Sequence, residues 1–512
     1  MATLRHVPAS TILTGWDFST SGVKCLAFDL DGNTISEVRL PTDLWTKGVS
    51  ELNLLQLEGQ ARGSVRAMAN QLRIKGRLDD WRTGGISATH HTSGRIDINR
   101  NQVRRAICWN DATLAKWHAK GVKRLGGEER VRELIGGPWA SRYSLSHLVK
   151  DEATLSEADW KRTAKILSHG SLAAGYLTGN FDVTSVSCAA STGIMDLRTG
   201  QWCQAMLDAI ECPKYRALAW EHLPRIVDAF EPIGPLQASL TVETGIDHAR
   251  APLIFPTSDD QQAGLIGGGA VDVGQMAIIL GSSAVVNSSS AEFPKTDDLD
   301  VMKLNWGPYL WMRCYNNGAQ FLNKIVGDDP DWPALEDAAR AVAPAQKGTM
   351  VLPFVHAEPS LGVLKPKFRW EPKEPKEAGR RFRAAMESLA YLIALGVQQH
   401  QASGQSITRI TVSGGIARSK LMCEILASVL NHPLELLASD EGPALGAAVT
   451  ALASLENHLR RQAGEAADYG VGDAVAQMVK FRATVEPNAE WTETYAKGLR
   501  KFSKAIGVKR KS

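Results

Sequence analysis

The chain has 512 residues, of which 44% are hydrophobic, so it can bury large cores and its length predicts at least two domains. Its 58 basic and 55 acidic residues are spread through the sequence and give a net charge of only +3. This balance excludes the strong positive field expected of a protein that binds nucleic acid or a membrane surface. No run of 18 apolar residues occurs either, so no membrane partner is expected.

Cysteine usage points to a reducing compartment. The chain has an odd number of cysteines and no CxxC pair, at positions 25, 108, 188, 203, 212, 314 and 423. Scattered, unpaired cysteines are typical of proteins that remain in a reducing environment. The first 15 residues also lack a signal-peptide core of sufficient length. We therefore expect a cytoplasmic location.

The first predicted elements are three strands within residues 11–40, TILTGWDFSTSGVKCLAFDLDGNTISEVRL. A turn rich in Ser and Thr joins the first two strands, and DLDGN predicts a hairpin before the third. Turns of this composition are usually only structural, but they also present N–H and hydroxyl donors that suit phosphate oxygens. Beside a polyphosphate, the carboxylate of Asp17 would require a cation such as Mg²⁺, which it would hold through water.

Two adjacent carboxylates open a predicted helix in residues 256–270, PTSDDQQAGLIGGGA. An Asp at the start of a helix usually caps it, and this is our interpretation of Asp259. Asp260 is the better candidate for chemistry. A carboxylate close to phosphate-binding turns could accept the proton of a hydroxyl that attacks a γ-phosphate.

The second half of the chain uses similar elements. Residues 274–290, GQMAIILGSSAVVNSSS, predict strand, turn and strand, and residues 407–437 predict strand, Gly-Gly, helix and strand. Between them, apolar residues recur at helical spacing in RRFRAAMESLAYLIALGVQQH, residues 380–400. This alternation predicts an α/β fold in two lobes that join near residues 251–257. No GxxxxGK[ST] pattern occurs, which argues against a P-loop enzyme.

Five motifs in order carry a resemblance to a known family: GWDFSTSGVK, GISATHHTSGR with AICWND, SDDQQAGLIG, IILGSSAVV, and VSGGIARSKLMCEILASVL with DEGPALGAAV. They resemble the FGGY family of carbohydrate kinases, which belongs to the actin-like ATPase superfamily. The resemblance covers roughly residues 12–455, and the tail VEPNAEWTETYAKGLRKFSKAI resembles an extra terminal helix of many members.

The resemblance implies an α/β fold of two ribonuclease-H-like domains with a cleft between them that holds Mg-ATP. It also implies transfer of the γ-phosphate to a terminal hydroxyl of an open-chain sugar or polyol. The expected domains are 1–252 (sugar binding and the first phosphate turn), 253–480 (catalytic Asp and nucleotide binding) and a helical tail, 481–512.

The family's functional residues are carried over by motif. The catalytic base falls on Asp260, with Gln261 beside it in the substrate site, and the metal-binding carboxylate falls on Asp17. The nucleotide-binding positions are those of two phosphate turns and one βα unit: Ser19, Thr20 and Ser21; Gly281, Ser282 and Ser283; Gly414, Gly415 and Ser419. Ser19 stands where the family most often has Gly, and a Ser there would resist a positive φ.

Four residues are candidates for binding the sugar: His90 and His91 in ATHHTSG, Asp111 in WND, and Arg142 in SRYS. Within the family these segments are most similar to xylulose kinases. Paired donors and acceptors of this kind suit a polyhydroxyl substrate. We therefore expect ATP-dependent conversion of D-xylulose to D-xylulose 5-phosphate, with D-ribulose, L-xylulose, a tetrulose or another polyol as alternatives.

A function of another class stays open, because the same fold serves ATP-binding sensors and scaffolds that phosphorylate nothing. Two departures from the family could mark such a protein: Ser19, and HAEPSLG at residues 356–362 where many bacterial members have GERTP. Asp17, Thr20 and Asp260 are all present and favour the enzyme. The expected partners are the sugar and ATP, and the sequence leaves a homodimer open.

Overall fold

The computed structural model describes residues 2–43, 50–327 and 329–507. The chain divides into two compact units that interleave along the sequence. The first unit comprises Met1–Gly267, Val301–Leu310 and Gly442–Val479, and the second comprises Gly268–Asp300, Trp311–Glu441 and Lys480–Ser512. The functional domain boundaries expected after residues 252 and 480 stay a prediction.

The strands, in chain order, are β1 Ile12–Phe18, β2 Gly22–Phe28, β3 Thr34–Pro41, β4 Glu51–Leu52, β5 Trp81–Ala88, β6 Ser93–Asp97, β7 Gln102–Ile107, β8 Thr163–Ser168, β9 Val183–Ser185, β10 Met195–Asp196, β11 Gln201–Trp202, β12 Arg225–Val227, β13 Gly234–Pro235, β14 Leu253–Ile254, β15 Ser258–Asp259, β16 Gln275–Leu280, β17 Ala284–Ser290, β18 Asp300–Lys303, β19 Tyr309–Tyr315, β20 Met350–Phe354, β21 Lys367–Glu371, β22 Arg409–Ser413, β23 Leu434–Leu437 and β24 Phe481–Val485.

The helices are α1 Leu54–Ile74, α2 Leu114–Leu125, α3 Glu128–Ile135, α4 Ser144–Thr154, α5 Glu157–Arg162, α6 His169–Thr178, α7 Val186–Ala190, α8 Pro213–Glu221, α9 Ala238–Thr244, α10 Asp260–Gly267, α11 Ala319–Val326, α12 Trp332–Arg340, α13 Ala378–Ala402, α14 Lys420–Leu430, α15 Gly442–Gln462, α16 Val471–Met478 and α17 Ala489–Ile506.

The first unit is built on a mixed sheet in the order β13-β14-β5-β1-β2-β3, with β15 continuing the pairing along β5. Strands β1, β2 and β3 form an antiparallel meander, whereas β5 runs parallel to β1, β14 and β15. The parallel strands end at one edge of the sheet, so the residues that follow them meet there. The segment after the expected domain boundary thus contributes β14 to this sheet.

The second unit repeats this plan. Its central sheet runs β19-β17-β16-β22-β23-β24, with β16 antiparallel to β17, β22 parallel to β16 and to β23, and β24 antiparallel to β23. Helix α13 covers this sheet, and Leu389 and Ile393 are completely buried in the core beneath it. The terminal helix α17 adds Tyr495 and Phe502 to the same core.

The predicted strands of residues 11–40 and 274–290 are confirmed as β1, β2, β3, β16 and β17, and the predicted helix in 380–400 lies within α13. The Gly-Gly segment differs in detail from a simple helix entrance. Gly414 and Gly415 precede a 3-10 turn, Gly415–Arg418, and Ser419 then caps α14 by accepting a hydrogen bond from the Met422 N–H.

Small residues allow helix α15 to approach its neighbours in the first unit closely. A Cβ built on Gly446 would lie 1.9 Å from the Ala263 carbonyl oxygen of α10, so the GPALGAAV sequence packs backbone against backbone. Such contact holds α10, the helix that begins with Asp260, against α15. Among the residues that the structure describes, no helix combines the length and apolar character needed to span a membrane.

Candidate active site and nucleotide pocket

In the first unit the candidate catalytic groups lie where β1, β5 and β15 end. Asp17 on β1 pairs in register with Ser87 on β5, and Ser87 is paired in turn with Ser258 on β15. The Ser87 hydroxyl donates a hydrogen bond to Asp17 Oδ1 at 3.2 Å. Parallel strand order therefore brings together residues that are about 70 and 170 positions apart in sequence.

Asp259 caps helix α10, as expected. Its Oδ1 accepts hydrogen bonds from the backbone N–H groups of Gln261 and Gln262, both at 2.9 Å. Its Oδ2 accepts a hydrogen bond from the Ser187 hydroxyl, and the Asp259 N–H donates to the same oxygen of Ser187 at 3.0 Å. With both carboxylate oxygens engaged, the buried Asp259 has a structural role.

Asp260 has the environment expected of a base. Burial raises its pKa to about 8, and the nearby negative charges of Asp259 and Asp17 act in the same direction. The His90 backbone N–H donates a hydrogen bond to Asp260 Oδ1 at 3.3 Å. A carboxyl group with a pKa close to neutral pH is suited to accept a proton from a substrate and release it afterwards.

His90 and His91 lie in the turn after β5 and form part of an aromatic stack. The ring centroids of His90 and His91 are 3.7 Å apart, those of His91 and Tyr143 are 4.2 Å apart, and both pairs are inclined by only 14°. His90 Nδ1 lies 3.8 Å from Asp259 Oδ1, which links the stack to the carboxylate pair. The stack thus extends from this carboxylate pair into the predicted sugar site.

His91 is held as a neutral hydrogen-bond acceptor. Its Nδ1 is 2.9 Å from the Ser191 carbonyl oxygen, so Nδ1 carries the proton that is donated and Nε2 is left with a lone pair. Burial, together with His90 and Arg142, lowers the pKa of His91 well below its ordinary value. Nε2 is buried and finds no hydrogen-bond partner among the described residues.

Asp111 and Arg142, the two other residues predicted to bind the sugar, make contacts that differ from those of the histidines. Lys150 Nζ donates to Asp111 Oδ2 at 2.7 Å, and the Thr113 N–H donates to Oδ1 at 2.8 Å. Burial raises the pKa of Asp111, but these hydrogen bonds outweigh it and hold the pKa below its ordinary value. Arg142 places its guanidinium carbon 5.7 Å from the ring centroid of Tyr143. The sugar-binding roles of both residues stay predictions.

The first predicted phosphate turn, Ser19 to Ser21, joins β1 to β2. Ser19 donates both its N–H (2.9 Å) and its hydroxyl (2.8 Å) to the Gly22 carbonyl oxygen, and the Gly22 N–H donates back to Ser19 Oγ at 3.1 Å. Within the described part of the chain, the residues other than glycine with positive φ do not include Ser19. Serine is therefore accommodated without the strain that the departure from the family pattern suggested.

The second predicted phosphate turn, Gly281 to Ser283, lies in the second unit between β16 and β17. The Gly281 N–H donates to the Ser283 carbonyl oxygen at 3.0 Å, while the Gly281 carbonyl accepts from the Ala319 N–H at 2.9 Å. The Ser282 carbonyl accepts from the Gly318 N–H at 3.1 Å. The start of α11 therefore fixes the turn by binding its carbonyl oxygens.

A cavity of about 630 Å³ opens beside this turn in the second unit. Four of the predicted nucleotide-binding residues line it: Gly281, Ser282, Gly415 and Ser419. The preceding residue, Gly414, has to be glycine, since its φ is 95° and a Cβ there would lie 2.5 Å from the carbonyl oxygen of Leu280, which also lines the cavity. The volume lies within the range typical of sites for small molecules and cofactors.

The far wall of the cavity is apolar and was not predicted. Trp332 at the start of α12 has its ring centroid 5.9 Å from that of Phe382 on α13, and Met386 and Met422 also line the cavity. Phe382 and Met386 had a detectable signal, because they belong to the helical pattern of residues 380–400. Their periodicity predicted the helix but could not show that they face a cavity.

Other residues that help to form the first site could not be identified from local sequence patterns. Ser87, Tyr143 and Ser187 contact Asp17, His91 and Asp259, respectively, across 70, 52 and 72 positions of sequence. The Asn305 backbone N–H donates a hydrogen bond to the side-chain oxygen Oε1 of Gln262 at 2.8 Å, and Asn305 Oδ1 accepts a hydrogen bond from the Ser187 N–H at 2.8 Å. These contacts depend on chain topology and not on any motif.

The carboxylates of the first site differ in how well they suit Mg²⁺. His90, Asp259 and Asp260 have ligand atoms within 4.8 Å of one another. Imidazole nitrogen is a poor ligand for Mg²⁺, and the oxygens of Asp259 already accept hydrogen bonds. Asp17 fits better, because it offers carboxylate oxygen, the kind of ligand that Mg²⁺ prefers. Its negative charge also helps to raise the pKa of Asp260, and a cation bound to Asp17 would offset that effect.

Two models of one protein family match the chain. The N-terminal domain of the FGGY family of carbohydrate kinases matches residues 12–267, and the C-terminal domain of the same family matches residues 276–455. The chain therefore belongs to the FGGY family of carbohydrate kinases, and the protein is a phosphotransferase that acts on a carbohydrate. The family predicted from the sequence motifs is confirmed.

Individual relatives are distant. The xylulose kinase of Escherichia coli (strain K12) is 25% identical over 459 residues, which cover 85% of this chain and 88% of the relative. The gluconokinase of Bacillus subtilis (strain 168) is 23% identical over 482 residues, which cover 86% of this chain and 87% of that relative. Relatives at this distance agree on the type of enzyme but carry different substrate names.

Solved structures confirm the fold. A xylulose kinase from Rhodospirillum rubrum aligns with a TM-score of 0.81 at 20% identity and covers 96% of this chain and 98% of its own. The Plasmodium falciparum glycerol kinase aligns with a TM-score of 0.81 at 16% identity and covers 98% and 99%. The protein has the actin-like ATPase fold of the FGGY kinases, as predicted.

Proposed function

We propose that this carbohydrate kinase transfers the γ-phosphate of ATP to the terminal hydroxyl of an open-chain ketopentose, and that D-xylulose is the substrate. The observation that carries the proposal is the position of Asp260. Its carboxyl group has a pKa of about 8 and accepts a hydrogen bond from the backbone N–H of His90, whose ring stacks on that of the neutral His91. A base and an uncharged acceptor that are linked through His90 suit a neutral polyhydroxyl substrate.

In the proposed reaction Asp260 removes the proton of the sugar hydroxyl as its oxygen attacks the γ-phosphorus. The oxygen to γ-phosphorus bond forms, the bond from the γ-phosphorus to the bridging oxygen of ADP breaks, and the proton remains on Asp260 until solvent takes it. His91 Nε2 accepts a hydrogen bond from a second hydroxyl. Gln261, Asp111 and Arg142 are the remaining proposed contacts to the sugar.

Nucleotide binding is assigned to the two phosphate turns and the cavity of the second unit. Ser19, Thr20 and Ser21 would donate to phosphate oxygens, and so would the segment Gly281 to Ser283. The apolar wall with Trp332 suits the flat faces of a nucleobase. Members of this family use ATP, typically with Mg²⁺, which would neutralise phosphate charge, and Asp17 would hold that ion directly or through water.

The relatives named as xylulose kinases support D-xylulose as the substrate. The neutral state of His91 favours an uncharged sugar over a negatively charged aldonate. The test is an ADP-release assay with D-xylulose, D-ribulose, L-xylulose, a tetrulose, glycerol and gluconate as acceptors. We expect the highest kcat/KM with D-xylulose. A higher value with another acceptor would replace the proposed substrate.

The same assay separates the kinase from a sensor of the same fold. A kinase releases ADP in proportion to added acceptor, whereas a sensor would show no release that depends on sugar. Product analysis by phosphorus NMR completes the test, since transfer to a terminal hydroxyl yields a phosphate monoester on a primary carbon. A product phosphorylated at a secondary hydroxyl would contradict the proposal.

A further inference from the structure

His91 is held in an unusual way for a residue on a turn. Its φ is 57°, in the left-handed region that residues other than glycine rarely adopt, and its side chain is only 4% exposed. The backbone conformation sets the direction of the Cα to Cβ bond. It does not set the plane of the imidazole ring, because rotation about the bond to the ring has broad, shallow minima.

Two flat contacts set that plane. His90 stacks on one side of the ring at 3.7 Å and Tyr143 stacks at 4.2 Å, each inclined by 14°. Tyr143 is itself 1% exposed and precedes helix α4, where its N–H donates to the Ala140 carbonyl at 3.0 Å. The tyrosine ring is therefore a buried flat surface that a distant part of the chain places against His91.

The ring plane decides the hydrogen-bonding character of His91. Only in this plane does Nδ1–H reach the Ser191 carbonyl oxygen at 2.9 Å, and that bond leaves Nε2 as the acceptor. If the ring tilts, the bond to Ser191 weakens and the choice of tautomer is no longer imposed. The charged or titratable side chains that act on His91 are His90, Arg142 and His147, and all of them favour its neutral form.

We propose that Tyr143 is a positioning residue for the phosphoryl-transfer reaction, holding His91 in the plane that makes Nε2 an acceptor for a substrate hydroxyl. The inference rests on the proposed function, because it takes His91 as a ligand of the sugar. It adds a specificity rule: the substrate must present a hydrogen-bond donor to His91, so a hydroxyl is accepted there and a group that only accepts is rejected.

The primary test compares Tyr143→Leu with Tyr143→Phe. Tyr143→Leu removes the flat ring, and we expect the KM for the sugar to rise about tenfold while the KM for ATP changes by less than about twofold. Tyr143→Phe keeps the ring and should retain a sugar KM within about twofold of the unsubstituted protein. If both variants raise the sugar KM by the same factor, or if neither variant changes it, the inference is overturned.

Tyr176→Leu is the matched control. Tyr176 is also a buried tyrosine of the first unit, 5% exposed, but its ring packs edge-on against Phe181, away from the histidines. Its replacement should cost stability without changing the sugar KM. If Tyr143→Leu does not fold, Tyr143→Met takes its place, because methionine also removes the flat ring but adapts to irregular core space, and the sugar KM should rise in Tyr143→Met and not in Tyr143→Phe.

A double-mutant cycle separates this inference from the proposed function. His91→Ala should raise the sugar KM by itself, and adding Tyr143→Leu to it should cause no further rise. An unchanged KM in His91→Ala would show that His91 is not the sugar ligand, and the proposed contact would fail. A rise in His91→Ala that Tyr143→Leu increases by the same factor as before would leave the contact intact and overturn the positioning role.

Histidine ¹⁵N NMR measures the tautomer of His91, which would not change if Tyr143 had only a structural role. In the unsubstituted protein the resonances of His91, assigned by their loss in His91→Gln, should show one neutral tautomer with the proton on Nδ1. In Tyr143→Leu we expect averaged tautomers or a raised pKa for His91. An unaltered single tautomer in that folded variant would contradict the proposal.

Discussion

The candidate site of the first unit and the cavity of the second unit differ in the chemistry of their walls. The first contains Asp17, Asp259, Asp260 and the histidine stack, and the groups next to one another change each other's pKa or tautomer. The second is enclosed by glycine-rich turns and by apolar side chains such as Trp332. The proposed function accordingly places the base in the first unit and the surface for the nucleobase in the second unit.

Asp260→Asn gives the strongest test of this division. The amide keeps the size of the carboxylate but cannot accept the proton, so kcat should fall by roughly 10²-fold or more. Binding of ATP, measured by calorimetry, should be retained because the nucleotide cavity is unaltered. Activity within about threefold of the original would show that Asp260 is not the base.

Asp259→Asn is the matched control, because it changes the neighbouring carboxylate. Its main effect should be on stability, about 1 kcal/mol, since the cap of α10 and the contact with Ser187 are weakened. The kcat should remain far above that of Asp260→Asn. Equal losses of kcat in the two variants would indicate that the carboxylate pair acts as one unit.

The pH dependence sharpens the comparison. Asp260 must be ionised to accept a proton, and its pKa is raised to about 8. A cation held by Asp17 would lower this pKa, so the kcat/KM for the sugar should increase by about tenfold per pH unit at low pH and level off at or below about pH 8. A kcat/KM that does not fall anywhere between about pH 9 and about pH 4 would show that no carboxylate has to be ionised for the reaction.

Trp332→Ala tests the second unit. Trp332 is 46% exposed and borders the cavity, so its loss should raise the KM for ATP about fivefold or more by removing a stacking surface. The KM for the sugar and the pH profile should not change. Trp220→Ala, which removes a tryptophan of similar exposure (37%) from the first unit, should leave the KM for ATP unchanged.

Ser19→Gly should have the smallest effect. Ser19 already closes the first turn with three hydrogen bonds to Gly22 and has no positive φ, so the family's glycine is not needed for the backbone. Steady-state constants should stay within about twofold. A large gain in activity would mean that the serine limits phosphate binding and would give new weight to a degenerate, sensor-like role.

Elements that depend on neighbouring residues could be predicted from the sequence. The strand-turn-strand segments, the cap formed by Asp259 and the long helix α13 follow from composition and periodicity, which act over a few residues. The family followed from the order of five such motifs. For the same reason the candidate base was already identifiable as Asp260, because it lies inside one of them.

Tertiary structure decided the rest. The raised pKa of Asp260 depends on burial and, to a smaller extent, on Asp17, while the tautomer of His91 depends on Ser191 and Tyr143, and other parts of the chain supply all of these groups. Trp332 and Phe382 become walls of one cavity only when α12 and α13 pack together. Electrostatic and stacking interactions act through space over a few ångströms, so a sequence pattern that extends only over neighbouring residues could not contain them.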